Sequence, residues 1–373
     1  MKTNKLFIHN FLILITFIFI GLIIISLFVY SFLPYIISSR TTSINYQLIN
    51  EELSPSKHKF KLNSTFSNEY FNLNNFNYSN VCSNPFKFKQ NNEKDLLFNS
   101  VFYDNMKTWK KHKKEIKQAI EMSHSTIPFA TKILYLYGDF QDQEFEQLFI
   151  QNGYKILRSE MKFEKNDKKK KYIVSQRYLD LEKYLKEHHS EYERVVFSDL
   201  RDVFWFADGF ATISPDELIL LHECDDLGNY VMKCLYYERM NRFQPNNKWM
   251  NKFYGKEIVQ MMKKKKAMVL NGGFIAGSTE KMLQFLKIMN EQLKQKPQFL
   301  YEWGYDQATL SYIYHSGKLD FLNITTNTIT QRLGFDIFEQ YKYDENKKAI
   351  FMKSNGCSPI IRHKIKKTYA MKT

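Results

Sequence analysis

Between Leu96 and His188 the chain alternates short apolar runs with longer segments whose apolar residues recur at helical spacing. The runs Leu96–Phe102, Lys132–Tyr137, Tyr154–Leu157 and Val195–Phe197 predict buried strands. Residues 107–122, 141–152 and 172–188 read as the helices between them. The second of these carries Phe145, Leu148 and Phe149 on one side. The third aligns Val174, Tyr178, Leu181 and Leu185 into one apolar stripe. The second half is less regular. Leu218–His222 and Met268–Ala276 predict strands, the latter interrupted by Gly272 and Gly273. Residues 256–262 predict a helix, and Ser278 a cap for a further helix bearing Met282, Phe285, Leu286 and Met289, with Glu280 favourable at its start. Residues 306–315 predict a last short helix. Strands alternating with helices imply an α/β fold, a mostly parallel sheet with helices on both faces.

The N-terminal pattern differs in kind. Residues 11–37 hold no charge and are dense in Ile, Leu and Phe. That stretch exceeds the roughly 20 residues needed to cross a bilayer core, and no small-residue cleavage site follows it. It predicts a retained signal anchor. Lys2 and Lys5 precede it and Arg40 follows, which places the N-terminus in the cytosol and the rest in the secretory lumen. The expected organisation is a cytosolic tail at 1–10, a transmembrane anchor at 11–37, a lumenal stem at 38–92 and a large folded domain at 93–373. The stem is polar and rich in Asn, Ser and Lys. Phe66, Tyr70, Phe71 and Phe76 are apolar enough that part of it is expected to fold onto the domain.

Composition changes this picture only at the edges. Lys and Arg number 54 against 39 acids, a net charge of +15, which favours anionic partners. The lysine runs at 168–171 and 263–266 read as solvated loops. Neither lies in a nucleic-acid-binding motif, so nucleic acid is not expected as a partner. The four cysteines, Cys82, Cys224, Cys234 and Cys357, all follow the anchor. A lumenal setting permits disulfides, and four cysteines allow three pairings, of which Cys224 with Cys234 would close a local loop. Their spacing matches no zinc site. Asn63-Ser64-Thr65, Asn77-Tyr78-Ser79 and Asn323-Ile324-Thr325 are glycosylation sequons.

The candidate chemistry begins where the strand at Val195–Phe197 runs into Ser198-Asp199-Leu200-Arg201-Asp202. A strand ending in two acids delivers both to its C-terminal edge, where open α/β sheets bind ligands. Two close carboxylates repel unless a proton or cation lies between them. A hard divalent ion such as Mg2+ or Mn2+, shared with a diphosphate, meets that need. Asp after a strand also caps turns, and Arg201 can neutralise either acid or pair with a phosphate. The glycine pair Gly272-Gly273 marks a bulge or a close approach of another group.

Three segments, RVVFSDLRDVFW, LNGGFIAGSTEKMLQFL and WGYDQATLSYIYHSG, stand in that order with SQRYLDLEKYL before them. Together they resemble the GT-A-fold glycosyltransferases, the nucleotide-diphospho-sugar transferases, over residues 96–366. The resemblance implies a GT-A (Rossmann-like) domain that moves a sugar from a nucleotide-sugar donor to a glycan or glycoprotein acceptor. It implies that Asp199 and Asp202 stand in the place of the family's D-x-D metal motif, here spaced D-x-x-D. Which of the two meets the metal directly stays open. It further implies His363 as a third metal ligand, Lys364 or Lys366 as the basic residue on the departing diphosphate, Arg177 pointing toward the nucleotide phosphates or the acids, and Arg201 near a phosphate. Gly272 and Gly273 would border the donor sugar. Asp306, with Gln307, would face the reacting carbon, as a base toward the acceptor or as a stabiliser of the cationic sugar. Retention and inversion both stay open, and so does the alternative of a silent GT-A fold serving as a lumenal lectin or scaffold.

Overall fold

The computed structural model describes residues 66–102, 106–138, 141–159, 161, 173–226, 232–240, 244–327, 330–335 and 341–364. The expected anchor at 11–37, the Asn63 sequon, the lysine loop at 168–171 and Lys366 lie outside them. Among the described residues no helix is long and apolar enough to cross a membrane.

A seven-stranded sheet organises the protein. In chain order its strands are β1 (Asp95–Phe102), β2 (Thr131–Tyr137), β3 (Tyr154–Arg158), β4 (Arg194–Asp199), β6 (Leu218–His222), β9 (Leu270–Ser278) and β10 (Ile324–Asn327); β5 (Val203–Trp205), β7 (Cys224–Asp226) and β8 (Met232–Cys234) lie outside it. Their order across the sheet is β10-β6-β9-β4-β1-β2-β3, and only β9 runs antiparallel to its neighbours. Chain order reverses at β1, which lies between β2 and β4. That reversal opens a crevice at the C-terminal ends of β1 and β4, the usual ligand site of such sheets.

Both faces of the sheet are covered, so β1 and β4 run apolar at successive positions, Leu96–Phe98 and Val195–Phe197, rather than alternating. Leu97 and Val196 join one core with Trp109, Ile116 and Ile120 of helix α1 (Met106–Thr126) and Phe145 and Phe149 of α2 (Gln143–Gln151). Leu96, Phe98, Val195 and Phe197 join the other, with Tyr178, Leu181 and Leu185 of α3 (Gln176–His188). That second core also takes in α4 (Pro245–Tyr254), α5 (Lys256–Lys264), α6 (Thr279–Lys294) and α7 (Tyr305–His315). The expected strands and helices are present with shifted ends. Helix α3 starts at Gln176 rather than 172, so Val174 precedes the stripe. Ser278 caps α6, its hydroxyl accepting from the Lys281 N–H. Helix α4 was not among the expected elements, although Trp249, Met250, Phe253 and Tyr254 recur at helical spacing. Pro245 in its first turn was a further signal.

The C-terminal residues build smaller pieces: β11 (Leu333–Phe335), the hairpin of β12 (Tyr341–Asp344) with β13 (Ala349–Met352), and β14 (Ile361–His363). Strand β14 pairs antiparallel with β5, directly after Asp202, and parallel with β11. The segment expected as the end of the stem is part of this body. Phe71, Leu73, Phe76 and Tyr78 are buried in the first core, and Tyr78 donates to the Pro359 carbonyl at 2.5 Å. The folded domain therefore begins before Glu93. Disulfides join Cys82 to Cys357 and Cys224 to Cys234.

The Cys82–Cys357 bond ties chain positions 275 residues apart. Closing so long a loop removes much unfolded-state entropy. The double variant Cys82→Ser/Cys357→Ser is expected to lose about 2–5 kcal/mol of stability, read as a lower denaturant midpoint under non-reducing conditions. An unchanged midpoint would show that the bond contributes nothing.

Candidate metal centre

Strand β4 ends at Asp199, and the turn through Leu200 and Arg201 carries Asp202 back to the start of β5. The pairing of β14 with β5 puts His363 opposite Val203, beside that turn. Residues far apart in sequence thus converge. His363 Nε2 lies 3.5 Å from Asp199 Oδ2 and 3.4 Å from Asp202 Oδ1. The three side chains offer ligand atoms within 4.8 Å of one another, a spacing that could hold a metal ion. The imidazole is fully buried and the carboxylates are half-buried, so the group opens to one side.

The electrostatics match that arrangement. Burial alone would push His363 down, but Asp202 and Asp199 outweigh it and raise the imidazole to about 9. Burial likewise opposes ionisation of Asp199, yet Arg177 and His363 hold its carboxyl well below the usual carboxylate range. The acids therefore call for a positive charge between them, which a proton or a divalent cation supplies. Two carboxylates and one imidazole form a donor set that could hold a divalent cation. Gly273 faces the cluster with bare backbone. A Cβ there would lie 2.5 Å from both Asp199 Oδ2 and His363 Cε1. Gly273→Ala is therefore expected to displace one ligand and weaken Mn2+ binding at least about tenfold, measured by calorimetric titration; an unchanged affinity would remove Gly273 from the site.

Arg177 joins this cluster to a second acid. From the first turn of α3 its guanidinium pairs with Asp199, donates to the Gly272 carbonyl at 2.9 Å, and reaches Asp306 Oδ2 at 3.1 Å. Tyr178 also donates to the Gly272 carbonyl, at 3.0 Å. Asp306 is buried in the first turn of α7 but does not cap it. Gly304, at φ +83° and packed against the Trp249 ring, occupies the cap position. Burial raises the Asp306 carboxyl, outweighing the pull of Arg177. Gln307 lies beside it, its Oε1 accepting from the Gly272 N–H at 3.4 Å.

Two expected site residues stand apart. Arg201 turns outward to α1, near Glu115 at 3.4 Å and His112 at 3.0 Å, with Asp202 at 4.0 Å. Lys364 is exposed at the end of β14, and its backbone N–H donates to the Asp202 carbonyl at 2.6 Å. Sequence reasoning missed Glu223, Asn246 and Asn271, which form an amide-carboxylate cluster around Gln307. No hydrophobic period marks such residues. Only the position of Glu223 directly after strand β6 pointed to the ligand edge of the sheet. The chain matches no protein-family model and no curated protein sequence.

Proposed function

We propose that this chain is a metal-dependent glycosyltransferase of GT-A type, transferring a sugar from a nucleotide-sugar donor to a glycan or glycoprotein acceptor. The convergence of His363 with Asp199 and Asp202 is the observation that carries the reading. A bound divalent ion, Mn2+ or Mg2+ on Asp199, Asp202 and His363, would supply positive charge against the donor diphosphate. The reaction breaks the bond between the sugar C1 and the phosphate oxygen, and the acceptor hydroxyl attacks C1. The chain's own residues do the rest. Arg177 fixes Asp306 beside Gly272, where a sugar meets bare backbone. Environment pushes the two acids in opposite directions, Asp199 down beside Arg177 and His363 and Asp306 up by burial. Asp306 would accept the acceptor proton or offset charge on the cationic sugar.

The disulfides support an oxidising compartment, in keeping with a type II protein of the Golgi or endoplasmic reticulum whose catalytic domain is lumenal. Asn323, which starts a sequon, is exposed and suits N-glycosylation in that compartment, whereas Asn77 is half-buried with its Nδ2 donating to the Gly356 carbonyl at 3.0 Å. The test is a panel of sugar nucleotides incubated with the full-length protein, with and without Mn2+, scored for nucleotide release and glycan transfer. Mn2+-dependent turnover of at least one donor is expected. Donor binding without turnover would leave the protein a silent fold of lectin or scaffold type.

A further inference from the structure

Beside the candidate metal cluster, at the C-terminal end of β6, lies a carboxylate that is held by three amides among the described residues. Glu223 Oε1 accepts from Asn271 Nδ2 and Gln307 Nε2, each at 3.0 Å, and Oε2 accepts from Asn246 Nδ2 at 3.0 Å. The amides are themselves locked. Gln307 Nε2 donates to Asn246 Oδ1 at 2.7 Å, and Asn271 Oδ1 accepts from the Gly273 N–H at 2.7 Å. Four elements, the ends of β6, β9, α4 and α7, meet on this one side chain. It is half-buried, and no ion pair reaches it among the described residues.

An ionised carboxylate has about four lone-pair directions. Three are filled here, which leaves one acceptor position, on Oε2. The cluster adjoins the reaction zone directly, because Asn271 precedes Gly272 and Gln307 follows Asp306. Aromatic residues adjoin the cluster's members along the chain. Trp249, one turn beyond Asn246 on α4, packs its ring on Gly304, and the neighbouring Trp303 is 55% exposed. Planar polar groups beside an aromatic face suit a pyranose, which presents hydroxyls at its edge and C–H groups on its faces.

We propose that Glu223 is a specificity-determining residue, that its Oε2 accepts a hydroxyl of the transferred sugar, and that its charge selects neutral sugars over uronic and other acidic ones. This rests on the glycosyltransferase reading above. An acidic sugar would set a second anion against a carboxylate that shares no cation among the described residues. Glu223→Gln keeps the shape of the side chain, removes the charge, and disturbs one amide contact at most.

The experiment uses the full-length protein with Mn2+ and four donors: UDP-glucose, UDP-galactose, GDP-mannose and UDP-glucuronate. A neutral donor is expected to exceed the glucuronate in kcat/KM by at least about a hundredfold. In Glu223→Gln the best neutral donor should lose about tenfold, and its lead over the glucuronate should narrow at least about tenfold. Affinity for Mn2+ and UDP, which lacks the sugar, should not move; a merely structural role would lower it too. Equal use of acidic and neutral donors overturns the assignment. So does a variant whose loss appears in UDP affinity, or only in KM for the acceptor. If the unmodified protein neither binds UDP with Mn2+ nor turns over any donor, the glycosyltransferase reading itself falls and takes this assignment with it. If it turns over donors without discriminating charge, only the role of Glu223 falls.

Discussion

Asp202→Ala is expected to lower metal-dependent donor turnover at least about a thousandfold while the protein stays folded. Charge stabilisation of a departing diphosphate by a metal is worth several kcal/mol, and each 1.4 kcal/mol is about tenfold in rate. Asp202 sits on a turn with its carboxylate 21% exposed, so removing it leaves no cavity in either core. Circular dichroism of the variant should overlay that of the parent. Full turnover in a folded variant would take Asp202 out of the site. His363→Ala is expected to move the Mn2+ titration to higher concentration without altering donor preference.

The second large effect is on stability. Arg177 is a buried cation shared by two acids, one of them, Asp306, also buried. Arg177→Met leaves Asp306 without its cation and Asp199 with His363 alone, a change that costs about 3–5 kcal/mol at neutral pH. The cost should depend on pH with a definite sign. Burial already raises the Asp306 carboxyl against the pull of Arg177, and without Arg177 it rises further. A folded-state value above the unfolded one, about 3.9, means the penalty is absent below the unfolded value and grows as pH rises through the folded one. Urea midpoints of variant and parent should therefore differ less at about pH 4.5 than at about pH 7. An equal difference at both would show that Asp306 is not the group left stranded.

Much of this architecture was legible because periodicity reports burial. The run Val195–Phe197 is apolar at every position since both sheet faces are covered, and the stripe Tyr178, Leu181, Leu185 marks the face α3 turns to the sheet. The glycine pair was legible as a close approach, and Gly273 does face Asp199 and His363. Long-range pairing was not legible. Nothing in Ile361-Arg362-His363 signals that this short strand pairs with Val203–Trp205, yet that register brings His363 to the aspartates. The burial of Phe71 and Phe76 was foreshadowed by their apolarity, but the Cys82–Cys357 bond that fixes the segment could not be chosen among three pairings. Arg201 shows the reverse case. Its position between two acids suggested phosphate, whereas its side chain turns to Glu115 and His112 on α1.

The proposed activity depends on a cation seated where β4 ends. Crystals of the protein grown with MnCl2 and UDP, with data collected at the manganese absorption edge, address it directly. The account predicts one anomalous peak bounded by Asp199, Asp202 and His363, with the diphosphate on its open side. A peak elsewhere, or UDP bound with those three side chains still bare, would contradict it.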